Sequence, residues 1–284
     1  MAWTAYQVTF RLLSPMHIGW RKLGNLQQTR PYVTGRVLWG ALTARLTRES
    51  RGNDYKGFGE QVDQQLAFTY FYPSTAKDSI EDSLWPWPDK KWDEFAWKFM
   101  GSYASTSLAN GRNAEDGSLH ETEFIAPHTR GDNPQQVYLV GYIFERQGEE
   151  LPWKENLDKL QFGGERGYGW GRIEPVTRKP EKVKDGKCFD YDLDCDHDRP
   201  WLIASPENKW LLAHTVAIDE PDSQRGAIEP LMGRETGENT GFGNKFSKPQ
   251  ICWIPGGKVN QKEKFQIGKE EKFQIGEKGI WKPL

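Results

Sequence analysis

The chain has 284 residues, enough to bury a hydrophobic core without disulfides or a structural metal. Its 38 basic and 40 acidic side chains give a net charge of −2, which excludes a uniformly basic surface, so any nucleic-acid site must be a local basic one. Three cysteines predict a reducing compartment, and no stretch reaches the ~18 apolar residues of a membrane span, so we expect a cytoplasmic protein without membrane contact.

The N-terminal segment is predicted to be a strand, a loop and a helix. Residues 4–13 alternate apolar and polar side chains, which is typical of a half-buried strand, and Ser14-Pro15 ends it. A polar loop at 19–31 follows. Apolar residues then recur at helical spacing over 37–46.

The middle of the chain is rich in aromatic residues. Residues 50–103 are predicted to be an insertion or a mobile arm rather than sheet core, with a short helix over 92–100. After a Gly/Asn/Asp loop the pattern predicts strands at 121–126 and 137–144, a short helix at 153–160, and a strand at 172–176.

The last third of the chain carries weaker signals. Residues 177–200 are a charged connector, and 201–284 hold short apolar runs separated by Gly-rich turns. A near repeat, EKFQIGKE at 263–270 and EKFQIGEK at 271–278, predicts a small terminal hairpin.

Four potential metal ligands lie in this last third, namely Cys188, Cys195, His197 and Cys252. Their Cys-x6-Cys-x-His spacing is not that of a known zinc site. We therefore predict neither a metal nor any other cofactor.

The segment at 162–172 contains five glycines within nine positions, Gly163, Gly164, Gly167, Gly169 and Gly171. Without β-carbons, their backbone N–H groups can approach phosphates closely. Arg166 and Arg172 can neutralise phosphate, while Tyr168 and Trp170 offer ring faces to a base. The alternative is a tight connection between helix and sheet, in which both rings fill the core.

A second basic segment precedes and includes the helix start. The free N–H groups near Arg36 form an anion site, to which the Arg36 side chain adds charge. Arg21, Lys22 and Arg30 in the preceding loop extend a basic strip. A surface loop with scattered cations is the alternative interpretation.

Three segments together resemble the RAMP (repeat-associated mysterious protein) superfamily of CRISPR-associated proteins. They are SPMHIGW (14–20) with RPYVTGRVLWGALTARL (30–46), EDGSLHETEFIAP (115–127) with QVYLVGYIF (136–144), and FGGERGYGWGR (162–172). Their order along the chain is more specific than any one of them. The resemblance covers roughly the first 175 residues, apart from the insertion.

The resemblance implies an α+β, ferredoxin-like (RRM-like) RAMP domain over 1–176, with an aromatic-rich insertion at about 50–103. Residues 177–284 would be a C-terminal extension or a degenerate second RAMP-like unit.

The resemblance also implies a guide (crRNA) RNA-binding structural subunit of a type III CRISPR ribonucleoprotein in antiviral defence. Its partners would be guide RNA, paired target RNA and other RAMP subunits, with RNA held by the glycine-rich segment and the basic strip. The aromatic insertion would reach a neighbouring subunit or wedge into the guide–target duplex.

Family members that cut target RNA carry an Asp in the loop after the SPMHIG-like turn. The corresponding WRKLGNLQQTRP (20–31) has no Asp or Glu, which argues against nuclease activity.

Two alternatives stay open. His17 could be the general base of a metal-independent endoribonuclease that processes CRISPR repeats, although this histidine also occurs in non-catalytic relatives. The chain could instead be a scaffold that joins subunits without contacting RNA.

Overall fold

The computed structural model describes residues 2–80, 85–87, 91–109, 113–148, 151–205, 210–217, 226–235, 243–259 and 271–284. Within them the helices are α1 (Gly35–Glu49), α2 (Tyr55–Gln65) and α3 (Trp92–Phe99), with 3₁₀ helices at Lys154–Lys159, Arg166–Tyr168 and Glu277–Gly279. None of the helices in the described ranges is long and apolar enough to cross a membrane.

The strands of the first two thirds are β1 (Trp3–Leu12), β2 (Gly19–Leu23), β3 (Leu26–Thr29), β4 (Leu66–Phe68), β5 (Tyr72–Ser74), β6 (Met100–Ser105), β7 (Leu108–Ala109), β8 (Asn113–Ala114), β9 (His120–Ile125), β10 (Tyr138–Arg146), β11 (Ile173–Pro175) and β12 (Glu181–Lys182). Those of the last third are β13 (Lys187–Cys188), β14 (Tyr191–Asp194), β15 (Trp201–Ala204), β16 (Thr215–Val216), β17 (Ile228–Leu231), β18 (Arg234–Glu235), β19 (Lys245–Phe246), β20 (Gln250–Trp253), β21 (Glu271–Ile275) and β22 (Trp281–Pro283).

The N-terminal sheet has the strand order β11-β1-β10-β4, and its paired strands are antiparallel. Along the chain the order is β1, α1 and α2, β4, β10, the 3₁₀ helix Lys154–Lys159, and β11. This is the βαββαβ order of a ferredoxin-like fold, with the second helix reduced to a 3₁₀ segment. The predicted α+β, ferredoxin-like class is confirmed.

One edge of this sheet lies inside the predicted insertion. Both β4 and β5 pair with β10, and their side chains are buried, so this part of 50–103 is sheet core. Thr69 interrupts the edge between the two strands, where its Oγ1 accepts a hydrogen bond from the Tyr142 N–H at 2.8 Å. The short helix predicted over 92–100 is present as α3.

Two hydrophobic clusters use opposite faces of the sheet. Along β1, Val8 and Phe10 pack into the cluster beneath α1, whereas Trp3 and Ala5 belong to the other cluster. That second cluster also contains Phe273 and other residues of the last third of the chain. Residues beyond 176 therefore cover part of the sheet face that an RRM-like domain would leave open.

The C-terminal region forms an eight-stranded sheet of order β13-β14-β15-β21-β22-β16-β20-β17. Its described residues contain no α-helix. The second copy of the near repeat provides β21, which pairs with β22 in a hairpin; the first copy, 263–270, lies outside the described residues. The boundary at 176 and the second RAMP-like unit stay predictions, and β12, at 181–182, still pairs with β1.

A third sheet, of order β2-β3-β9-β6, lies beside the turn that follows β1. Met16 joins it to the N-terminal sheet, because its backbone exchanges hydrogen bonds with Ile125 at 3.0 and 2.8 Å. This arrangement places the β2–β3 hairpin, α3 and β9 around residues 14–19.

Candidate nucleic-acid interface

The glycine loop, which we define as residues 162–172, lies directly on the turn after β1. The Gly164 N–H donates to the His17 carbonyl at 2.9 Å, and the Gly171 N–H donates to the Pro15 carbonyl at 2.7 Å. Two of the sequence motifs therefore pack directly against each other.

Two glycines of the loop are required by packing. A β-carbon at Gly163 would collide with the His17 carbonyl oxygen, and one at Gly171 would collide with the Phe162 carbonyl oxygen. Both have positive φ, +78° and +76°, which glycine adopts without the steric cost that other residues bear. At these two positions the structure therefore contains the tight connection that was the alternative to phosphate binding.

The tip of the loop is open. A β-carbon at Gly167 or Gly169 would have no atom within 4 Å. Between them, Tyr168 is 83% exposed at the end of a single 3₁₀ turn. The tip therefore presents backbone and an aromatic ring to solvent.

Three arginines belong to the glycine loop or lie near it, namely Arg48, Arg166 and Arg172. The Arg166 Nε donates to the Gly163 carbonyl at 3.0 Å, and partial burial together with the neighbouring Arg48 lowers the pKa of Arg166. Arg172 is exposed and uses its backbone N–H to bind the Ser14 Oγ at 2.9 Å. Within the described ranges these three guanidinium groups have no ion pair, so their charge is not neutralised by the protein.

Trp170 is half-buried and packs edge-on against Phe124, with ring centroids 5.2 Å apart. The Gln161 side-chain amide holds the Trp170 carbonyl at 2.7 Å. This ring joins the glycine loop to β9, and Tyr168 is the more accessible platform of the two.

His17 is buried, with 7% of its surface exposed. Its Nδ1 donates to the Glu123 carbonyl at 2.8 Å, and its ring lies against Gly164. The imidazole therefore connects β9 to the glycine loop, a local packing role.

The β2–β3 hairpin carries Arg21 and Lys22 on its exposed side. The Arg21 guanidinium lies 4.1 Å from the centroid of the Trp20 ring, and its Nε donates to the Gln28 Oε1 at 2.7 Å. Both cations are accessible.

Arg30, in contrast, belongs to what we call the junction cluster, made of Arg30, Tyr70, His214 and Glu229. The Arg30 Nη2 is 2.6 Å from the Glu229 Oε1, and the His214 Nε2 is also 2.6 Å from that oxygen. The Tyr70 hydroxyl is 2.7 Å from the His214 Nδ1. These contacts join the N-terminal domain to the C-terminal sheet.

The environment fixes the charges in the junction cluster. Burial acts to raise the pKa of Glu229, but the hydrogen bond from His214 and the charge of Arg30 lower it to about 2. Burial lowers the pKa of His214 to about 4, against the opposing effect of Glu229. At neutral pH a carboxylate and a guanidinium pair beside a neutral imidazole.

Arg36 also contacts the C-terminal region. Its Nη1 is 3.2 Å from the Glu235 Oε1, and its Nη2 donates to the Ser247 Oγ at 3.4 Å. A β-carbon at Gly35 would meet the carbonyl oxygen of Lys278, so the start of α1 is covered by the chain. Arg48, in the last turn of α1, lies near the glycine loop instead.

The predicted residues thus separate into two groups. The loop tip, Arg21, Lys22, Arg166 and Arg172 are exposed, whereas Arg30 and Arg36 pair with carboxylates of the C-terminal region. Sequence reasoning missed Arg48, Glu229 and Glu235 as parts of these groups. Helical spacing indicates that Arg48 faces away from the core, but no local signal indicates the two glutamates.

The chain is similar to a known family and to chains of solved structures. The family model of the RAMP superfamily matches residues 9–174. The chain is similar to a chain in the cryo-EM structure of the Type III-B Cmr-beta bound to cognate target RNA and AMPPnP, with 14% identity, a TM-score of 0.50, and coverage of 89% of this chain and 85% of that chain. A chain of the Type III-B Cmr-beta bound to cognate target RNA aligns with 17% identity, a TM-score of 0.42, and coverage of 64% and 61%. No curated protein matches the chain.

Proposed function

The chain belongs to the RAMP superfamily, and from this membership we propose that it is a guide-RNA-binding structural subunit of a type III CRISPR ribonucleoprotein in antiviral defence. The type III assignment follows the Type III-B Cmr-beta chain whose fold it shares. Other RAMP subunits and paired target RNA are its further partners in this proposal.

The open tip of the glycine loop carries the proposal. Gly167 and Gly169 let a ribose-phosphate backbone approach the protein backbone, and Tyr168 between them can stack on a base. Burial and charge repulsion from Arg48 lower the pKa of Arg166, and neither arginine has an ion pair among the described residues, so a phosphate that contacts both would relieve this repulsion. These residues support the proposal of a local basic surface, which an RNA site needs on a chain with a net charge of −2.

The proposal includes no nuclease activity. His17 donates its Nδ1–H to a backbone carbonyl and is almost fully buried, so its ring is poorly placed to reach a 2′-hydroxyl. Hydrolysis of CRISPR repeat RNA in EDTA that disappears in His17→Ala would replace this proposal with the processing endoribonuclease.

Crosslinking of the assembled ribonucleoprotein tests the RNA contact. We expect ultraviolet crosslinks from guide RNA to residues 162–172, centred on Tyr168. Guide RNA affinity of the complex is expected to fall about tenfold in the double variant Arg48→Ala/Arg166→Ala. Arg45→Ala is the matched control, because Arg45 lies on the same helix but pairs with Glu49. Unchanged affinity in the double variant, with no crosslink in the loop, would favour a scaffold without RNA contact.

A further inference from the structure

A cavity between the β2–β3 hairpin and α3 has a different chemistry from the tip of the glycine loop. We propose that it binds a single unstacked RNA base, guanine in preference to the other three. The inference rests on the proposed function, since it names a base-reading site for RNA that the complex already holds.

The cavity measures about 330 Å³, which is at the small end of the range for ligand sites. Its walls include Trp20, Trp92, Met100, Glu123 and Arg130. Aromatic walls with a few polar groups are the usual composition of a pocket for a base taken out of its stack.

Trp20 is a fixed wall. Its indole N–H donates to the Glu229 Oε2 at 2.9 Å, which ties it to the junction cluster. The Arg21 guanidinium stacks on the same ring system at 4.1 Å. The part of Trp20 that lines the cavity is thereby held in place, so a base can contact it at little cost in side-chain entropy.

Trp92 is the exposed wall, because it lies at the first position of α3 and is 40% exposed. It stacks on Phe95, with centroids 6.0 Å apart and an angle of 20° between the planes. A base that enters the cavity can gain contact with this ring without moving the helix.

Glu123 supplies base selectivity. Its Oε2 accepts the Thr29 N–H at 3.2 Å, while its Oε1 has only a long contact of 3.5 Å with the Gln28 amide. A carboxylate held in this position can accept two hydrogen bonds at once. Guanine alone among the four bases presents two adjacent N–H donors, N1–H and N2–H, on its Watson–Crick edge. Adenine and cytosine place a ring acceptor beside their amino group, and uracil has a single N–H between two carbonyls.

Arg130 supplies the cation for the nucleotide backbone. It is exposed and lies 5.3 Å from the centroid of the Trp97 ring. Within the described residues it has no ion pair, so its charge is available to a phosphate at the rim of the cavity.

The test measures base preference with RNA pentamers that differ only in the central base, UUGUU, UUAUU, UUCUU and UUUUU. Fluorescence anisotropy with the full-length chain is expected to show about tenfold tighter binding of UUGUU. Glu123→Gln should reduce this preference to less than threefold. Trp92→Ala should weaken UUGUU binding, whereas Tyr103→Ala is the control, since Tyr103 is an exposed aromatic residue outside the cavity.

The outcomes separate the two proposals. Equal affinity for all four pentamers, or a guanine preference that survives Glu123→Gln, overturns the base pocket even if loop variants release guide RNA. A guanine preference that depends on Glu123 supports the pocket. If guide RNA affinity of the complex is then unchanged in Arg48→Ala/Arg166→Ala, the loop tip is not part of the RNA site. A photoreactive group at position 92 that crosslinks only to a neighbouring protein subunit also overturns the inference.

Discussion

The cations of the glycine loop and those of the junction with the C-terminal sheet have opposite environments. Arg48 and Arg166 are exposed and unpaired among the described residues, whereas Arg30 and Arg36 are mostly buried against Glu229 and Glu235. A charge that is already paired and dehydrated has little to gain from a phosphate, because it would first have to leave its partner. Arg30 and Arg36 therefore hold the N-terminal domain against the C-terminal region, whereas the arginines of the glycine loop keep charges that the proposed RNA contact can use.

The largest expected effect is at the junction cluster. Glu229→Ala would leave the Arg30 guanidinium buried without its carboxylate, so we expect the free energy of unfolding to fall by about 3–5 kcal/mol. Urea unfolding, monitored by circular dichroism, measures this free energy. Asp192→Ala is the control, because it breaks an exposed pair with Lys187 and is expected to change stability by less than about 0.5 kcal/mol. A loss as small as that control's would mean that the junction does not hold the two sheets together.

The base and the tip of the glycine loop are expected to tolerate a β-carbon to different degrees. Gly171→Ala forces a positive φ on alanine and a collision with the Phe162 carbonyl, so we expect a loss of about 3 kcal/mol. Gly167→Ala adds a methyl group to open space and is expected to cost under about 1 kcal/mol. Thermal unfolding of both variants measures the two losses of stability. Equal costs would show that the base of the loop and its tip are not distinct.

The free energy of unfolding is expected to depend on pH through Asp63 and His214. Burial raises the pKa of Asp63, which lies near Lys278, to about 6, above its ordinary value of 3.8. Between these two values the folded protein therefore binds a proton that the unfolded chain does not, and the stability that this proton provides is lost as pH rises. For His214, with a pKa of about 4, the unfolded chain binds the extra proton between about pH 4 and 6.5, so stability rises with pH.

The two effects oppose each other in the wild-type protein. Asp63→Asn removes the first, so between pH 4 and 6 its free energy of unfolding should rise with pH more steeply than that of the wild type, by about 1 kcal/mol per pH unit. Denaturant unfolding across this range measures the slope. Above pH 7 neither group titrates, and the two curves should run parallel. A shallower slope in the variant would contradict the assigned direction for Asp63.

Much of the N-terminal domain follows from its sequence. The strand at 4–13 and the helix at 37–46 have clear periods, and the RAMP resemblance across roughly the first 175 residues is confirmed by the family match at 9–174. The edge strands β4 and β5 were missed because each has only three residues and both sides are buried, so neither shows alternation.

The junction could not be predicted in the same way. Arg36 and Glu235 are 199 positions apart, and their pairing depends on how two sheets pack. Sequence indicates that a residue is charged, but its partner is set by tertiary contacts. Arg30 and Arg36 therefore look like free cations in the sequence. The same reason hides the cavity, because Trp20, Trp92 and Glu123 come from three separate elements.

The smallest expected effect is on the salt dependence of RNA binding, which distinguishes the unpaired arginines of the glycine loop from the paired Arg36. In the assembled complex, the logarithm of guide RNA affinity falls linearly with the logarithm of salt concentration, with a slope of about −0.7 for each phosphate contact of a single strand. Arg48→Ala and Arg166→Ala should each reduce the magnitude of this slope by about 0.7. Arg36→Ala should leave it unchanged, since this side chain already pairs with Glu235. Reduced slopes in all three variants would mean that RNA displaces the carboxylate at the start of α1, so that both basic segments bind it.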